Sequence, residues 1–314
     1  LRSLKKIRVA LAVGMFVLVS VVFLDLTGRI PATFTTVLVS LQLIPSITRL
    51  VSGFTIASIG LLVVVLLTLA FGRVYCSTIC PLGTLQDIVI RLSGRIRRRR
   101  WYRYKPAPIA VHYALLAVTS IAAIAGSMIL LDLFEPFSNF GRILTNLADP
   151  VLVSFNNAAA FVLGRLGIFV LFNIRLLHLT TAALLLAFAF LGLVVYLSYY
   201  HGRLFCNLLC PAGALLGLLS RVSLFRISIV EERCTDCGFC EMVCKANCLD
   251  AGSKKIDVHA CVGCFNCIDS CPTVAFKYEG FRKKTNPAQA AEVDAPRRAF
   301  LGALVATGSA MILP

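Results

Sequence analysis

The sequence predicts a mainly α integral membrane protein with one small polar α+β domain set into its C-terminal half. Three observations carry that prediction. First, the chain is 58% hydrophobic over 314 residues with a mean hydropathy of +0.85, too apolar for a soluble domain of this size. Second, the net charge of +16 sits on Lys and Arg residues at the ends of apolar runs, the distribution that positive-inside topology produces, so it does not point to nucleic acid. Third, nine of the 13 cysteines crowd into the polar stretch from Cys234 to Cys271, and the other four form two identical C-x3-C pairs beside basic flanks. That placement describes a reduced, cytoplasm-facing set rather than a disulfide framework.

Four main transmembrane helices are expected, paired as two pseudo-symmetric hairpins, with a short fifth apolar segment at the end of the chain. Arg2, Lys5, Lys6 and Arg8 precede the first apolar run, 9–26, which places the N-terminus in the cytoplasm. Residues 27–53, interrupted by Arg29, Pro31, Pro45 and Arg49, read as an external, partly interfacial connection. The second span, 54–71, returns inward. Beyond it, residues 91–105 carry eight basic residues with Trp101, Tyr102 and Tyr104 among them and no acid. Such a run is a headgroup-level anchor, or a docking surface for an acidic redox partner.

The third span, 108–131, leads outward. Residues 150–172 are apolar but broken by Asn156, Asn157, Gly164, Arg165 and Gly167, so they read as an amphipathic or re-entrant periplasmic element. Parity agrees, because a full crossing there would put the two halves of the chain on opposite faces. The fourth span, 176–199, then runs inward.

The inner ends of spans two and four carry one motif twice. Residues 72–83 and 202–213 share G-R-aliphatic-aromatic-C-x3-C-P-x-G, 130 positions apart. Cysteines at i and i+4 lie on one helix face, and a proline after the second restricts the backbone there. A duplicated motif at equivalent topological positions implies that the copies face one another. Cys76, Cys80, Cys206 and Cys210 then form a four-thiolate site: a third metal centre or cluster, a redox-active dithiol pair, or structural thiols.

Residues 234–271 read C-x2-C-x2-C-x3-C twice, the spacing of a two-cluster bacterial ferredoxin, in which the fourth cysteine of each run ligates the other cluster. The expected sets are Cys234, Cys237, Cys240 and Cys271 for one [4Fe-4S] cluster, and Cys261, Cys264, Cys267 and Cys244 for the second. Zinc ribbons lack the third cysteine and the x3-C tail. Lys245 stands where the first run would carry proline. Cys248 is an extra thiol, read as a small buried hydrophobe or as a redox or alternative-ligand group. The expected domains are 1–226, the membrane part; 227–276, the ferredoxin; 277–296, a linker; and 297–314, an apolar segment.

Two GR-x-[YF]-C-x3-CP-x-G motifs ending membrane hairpins, followed by a dicluster ferredoxin, resemble the NapH and NosR type of membrane polyferredoxin over roughly residues 5–275. The resemblance implies electron transfer between the quinol pool, or a cytoplasmic donor, and a partner in a redox complex of the bacterial inner membrane. No flavin-attachment motif is present. Copper-oxidase assembly proteins share part of the pattern, which keeps open a non-catalytic assembly, metal-reduction or sensor role. For quinone or haem, His112, His178 and His201 near span ends are the candidates, with His112 and His201 on the inner side. Finally, Arg297 and Arg298 before Phe300, Leu301 and an apolar run resemble the twin-arginine start of a NapG or MauM type protein, so the natural chain is expected to continue beyond Pro314 into a periplasmic domain.

Overall fold

The computed structural model describes residues 2–25, 28, 30–52, 59–96, 104, 109–166, 172–175 and 180–280. The membrane part is helical throughout, as it must be where no water can satisfy the backbone. Its first half comprises α1 (Arg2–Phe23), α2 (Ala32–Ser40), α3 (Leu43–Ser52), α4 (Ile59–Phe71), the short α5 (Tyr75–Thr78) and α6 (Pro81–Ile96). The second half runs through α7 (Ile109–Ile124), α8 (Ile129–Phe134), α9 (Pro136–Ile143), α10 (Asp149–Arg165), α11 (Thr181–His201), α12 (Leu204–Leu208) and α13 (Pro211–Ser220). The halves are interlocked: α6 packs on α11, α13 packs on α4, α1 lies along α6 and α7 along α13. Both post-motif helices start on a proline, whose missing N–H costs nothing at the first helical position.

The polarity is that of a protein in lipid. Leu11, Val17, Leu62, Leu66, Val118, Ile121, Leu185 and Phe188 face outward, whereas Gln42, Ser46, Thr68, His112, Glu135, Asn139 and Ser198 are buried. Water would impose the reverse. Among the described residues three helices are long and apolar enough to cross a membrane: Ser3–Phe23, Pro136–Arg165 and Thr181–His201. The second and third expected spans appear as the shorter apolar helices Ile59–Phe71 and Ile109–Ile124, each preceded by residues outside the described set.

Three expectations need correction. The stretch expected as a partly interfacial connection over 27–53 holds two helices, α2 and α3, that pack into the core. Gln42 and Ser46 are fully buried there, and Tyr75 Oη accepts a hydrogen bond from Leu43 N at 3.1 Å and donates to Gln42 Oε1 at 3.0 Å. The element expected over 150–172 begins earlier, at Pro136, and continues through a π-helical turn, Leu144–Ala148, to Arg165. Its start lies deep in the fold: Glu135 is 1% exposed and caps α9 by accepting from Ser138 N. Lys277 to Gly280, expected to open the linker, belong to a strand, and the rest of the expected linker lies outside the described residues.

The polar domain is built on that strand. β1 (Phe225–Ile229) pairs antiparallel with a C-terminal strand, and between them lie α14 (Phe239–Met242), the small hairpin β2 (Leu249–Asp250) and β3 (Lys255–Ile256), and α15 (Asn266–Ser270). The closing strand is β4 (Phe276–Gly280), with Phe225 opposite Gly280. Backbone and side chain alike fasten the domain to the membrane part. Leu224 N donates to Leu69 O at 2.7 Å, Arg203 N to Lys245 O at 2.8 Å and Asn207 Nδ2 to Ala246 O at 3.1 Å. Lys5 and Asp269 add an ion pair at 2.6 Å. The apolar segment 297–314 and its arginine pair lie outside the described residues.

Candidate metal centres

Each copy of the duplicated motif turns on a glycine of positive φ, Gly72 at 75° and Gly202 at 69°, a conformation that a side chain disfavours. The turn directs the following arginine inward. Arg73 and Arg203 are 1% and 0% exposed, and each crosses to the other copy. Arg73 Nη2 donates to Cys206 O at 2.9 Å and Arg203 Nη1 to Cys76 O at 2.8 Å. The same carbonyls lie against the last glycine of their own motif, where a Cβ on Gly83 or Gly213 would come within 2.2 Å of the oxygen. The spacing of the motif is therefore a packing requirement around two cysteine carbonyls.

Cys76, Cys80, Cys206 and Cys210 are each buried, and the four stand close enough to feel one another's charge. Gly213 N donates to Cys210 Sγ at 3.3 Å, and Gly83 N serves Cys80 in the same way. His112 Nε2 lies 3.0 Å from Cys210 O, which occupies the nitrogen that a haem iron would need. His201 meets the ferredoxin domain through its carbonyl, which accepts from Asn247 Nδ2 at 3.1 Å. His178 lies outside the described residues.

The counter-charges differ between the copies. Arg203 pairs with Asp87 at 2.9 Å. Asp87 also binds Arg8 and, at 3.3 Å, Lys245. Although burial opposes ionisation, these cations, Arg203 foremost, hold the Asp87 carboxyl far below the usual carboxylate range. Among the described residues Arg73 meets neutral acceptors: Cys206 O, Asn207 Oδ1 at 2.8 Å and His259 O at 2.7 Å. A buried guanidinium without a carboxylate needs a negative neighbour, and a tetrathiolate centre on the four cysteines fits that requirement.

In the ferredoxin domain one cavity is lined by Cys234, Cys237, Cys240 and Cys271. Ala275 N donates to Cys271 Sγ at 3.3 Å, and Gly238, at φ 72°, turns the loop. Cys244, Cys261, Cys264 and Cys267 form a second mutually interacting set. Cys248 is buried against it, its Sγ 3.5 Å from Cys244 Sγ. The paired-motif arginines act on both sets: Arg203 feels both Cys206 and Cys264, and Arg73 acts on Cys261 and Cys206.

Lys245, the departure from proline, joins Asp87 through its side chain and Arg203 through its carbonyl. Sequence reasoning missed Arg73, Arg203, Asp87 and His259 as site residues. The available signal was the arginine repeated at the second position of both motifs.

Comparison with known proteins bears on the same residues. A family described as a 4Fe-4S binding domain matches residues 54–100 and 181–229. Each stretch holds one C-x3-C-P pair, and both end before Cys234. The ferredoxin-type protein NapH of Escherichia coli is 27% identical, with 72% of this chain and 70% of NapH covered. YccM of Escherichia coli is 25% identical over 72% of this chain and 56% of its own length. The regulatory protein NosR of Pseudomonas aeruginosa is 25% identical over 72% of this chain but only 28% of its own length.

The chain is a NapH/NosR-type polyferredoxin. No solved structure matches it. As a polyferredoxin it is an iron–sulfur electron-transfer protein of the membrane, and its thiol sets, with N–H donors to Cys210 and Cys271, suit the clusters that such proteins carry.

Proposed function

We propose that this polyferredoxin passes electrons from a quinol in the membrane, by way of the paired-motif thiols, to the ferredoxin domain and on to a partner redox protein. The observation that carries the reading is the pair of crossed arginines, each of which also acts on a cysteine of the second ferredoxin set. In this reading Cys76, Cys80, Cys206 and Cys210 hold a third [4Fe-4S] cluster. Cys234, Cys237, Cys240 and Cys271 hold one ferredoxin cluster, and Cys244, Cys261, Cys264 and Cys267 hold the other. When bound, the clusters supply one-electron carriage; the protein supplies position, charge and exclusion of water.

The two ends of such a path are distinct surfaces. On the membrane side a mostly apolar cavity opens between α3, α7 and α13. Pro211, which follows Cys210, forms part of its wall, together with Ile44, Leu116, Leu215 and the hydroxyl-bearing Thr119 and Ser120. An apolar ring could lie there one residue from a ligand. On the other side Cys237 is exposed, where a partner can approach. Both motifs and the ferredoxin share one side of the fold, which by the basic flanks is the cytoplasmic side.

The test is a redox titration followed by electron paramagnetic resonance, on protein in lipid nanodiscs, with and without a menaquinol analogue. We expect about twelve irons per chain and reduction of the clusters by the quinol. The double variant Cys80→Ser with Cys210→Ser should keep about eight irons and lose quinol reduction. A variant that retained all its iron would overturn the third cluster. Intact protein that the quinol failed to reduce would overturn the quinol reading.

A further inference from the structure

The face of the molecule formed by α1 and α6 holds a feature that electron transfer does not use. A groove runs between the two helices and is closed at one end by Lys245 of the ferredoxin domain. Its upper wall is cationic, carrying Arg8, Arg91 and Arg95 besides Lys245, against one acid, Asp87. That acid is already engaged by Arg8, Arg203 and Lys245. Arg91 and Arg95 are exposed and meet no carboxylate among the described residues. Arg8 is 5% exposed, yet its Nε is buried with no acceptor among the described residues.

The lower wall is aliphatic. Val13, Ile88 and Leu92 line the groove and are 52%, 40% and 52% exposed. On α6, Ile88, Leu92 and Ile96 follow one another at four-residue spacing beside Arg91 and Arg95, so one helix presents an apolar stripe and a basic stripe side by side. On α1 the change from basic to apolar comes between Arg8 and Val9, where the expected span begins. Both helices therefore mark the same boundary between headgroups and hydrocarbon.

A groove with excess positive charge above and aliphatic walls below complements an anionic amphiphile. We propose that it binds an anionic phospholipid from the leaflet on the ferredoxin side, with the phosphate held by Arg8, Arg91, Arg95 and Lys245 and the acyl chains on Val13, Ile88 and Leu92. Guanidinium forks suit phosphate oxygens, and basic pockets between helices at this depth favour acidic headgroups over zwitterionic ones. A free phosphate would satisfy the upper wall alone and leave the lower wall bare, which is why the occupant is a lipid. Because Lys245 belongs to the ferredoxin domain, a bound headgroup would also join that domain to the membrane part.

Native mass spectrometry of the full chain, released from nanodiscs of mixed phosphatidylglycerol and phosphatidylcholine, tests this. We expect retention of phosphatidylglycerol in preference to phosphatidylcholine. The double variant Arg91→Gln with Arg95→Gln should weaken that preference by an order of magnitude or more, at about 1 kcal/mol per cation, with its iron content unchanged. Inorganic phosphate alone should not displace the lipid. Equal retention of both lipids, an unaltered preference in the double variant, or displacement by inorganic phosphate would each overturn the proposal. So would retention of an acidic protein partner on this face in place of lipid.

Discussion

The two copies of the cysteine motif are alike where they face the four thiols and unlike where they face the ferredoxin domain. Gly72 and Gly202, Arg73 and Arg203, and Gly83 and Gly213 make the same turns and the same crossed bonds. Seven residues after the second cysteine the copies part: the first has Asp87 and the second Gly217. Asp87 gathers Arg8, Arg203 and Lys245. Gly217 leaves room for His259, whose Nε2 would stand 2.7 Å from a Cβ placed there. Symmetry is thus kept around the four thiols and given up where the domain docks. The domain meets the second copy through packing and hydrogen bonds, Asn207 Nδ2 to Ala246 O among them, and the first through the Lys245–Asp87 pair.

Removing the charge contact should do most damage. Asp87→Asn leaves three buried or half-buried cations without a carboxylate, and loss of one partner from a buried ion network costs about 3–5 kcal/mol. We expect the ferredoxin domain of that variant to become susceptible to limited proteolysis while its isolated cluster signals persist. An unchanged digestion pattern would mean that shape alone holds the domain.

The two arginines offer a sharper comparison. Arg203 is offset by Asp87, whereas Arg73 has neutral acceptors among the described residues. Removing a positive charge near a cluster lowers its midpoint potential, because the reduced, more negative state loses its stabilisation. Arg73→Gln should therefore lower the potential of the paired-motif centre more than Arg203→Gln does, as read by a potentiometric titration. Equal shifts would show that Asp87 does not screen its partner.

The smallest effect is expected from Lys245→Pro. It removes the Lys245–Asp87 pair at 3.3 Å but keeps the carbonyl that accepts from Arg203 N. Asp87 keeps Arg8 and Arg203, so no charge is left unpaired and the cost should be about 1 kcal/mol. Thermal unfolding of the variant should shift by a few degrees, with its iron content intact.

What the sequence disclosed and what it hid follow one physical rule. The duplicated motif, the ferredoxin cysteines and the long apolar helices α1 and α11 were legible because each is a local pattern of residue type against spacing. Arg73 and Arg203 entered only as letters of the repeated motif. Nothing local says that a guanidinium turns inward to a carbonyl more than a hundred positions away. The same holds for Gln42, Glu135 and Asn139, whose polar side chains carry no local sign of burial. Asn139 is in fact 2% exposed, its Nδ2 donating to Leu133 O at 2.7 Å and to Glu135 O at 2.8 Å. Partners supplied by the fold, invisible in the sequence, reverse the expected burial.

The exchange of arginines between the two copies also sets a timetable for biosynthesis. When the first motif leaves the ribosome, Arg73 has nothing to donate to and Cys76 O has no donor, since both partners lie beyond residue 200. The first half cannot close its own site, so a chain stopped before α12 presents a bare buried cation and two loose thiols to the membrane. A centre held by all four cysteines of the two motifs would therefore be completed only after α11 is in place.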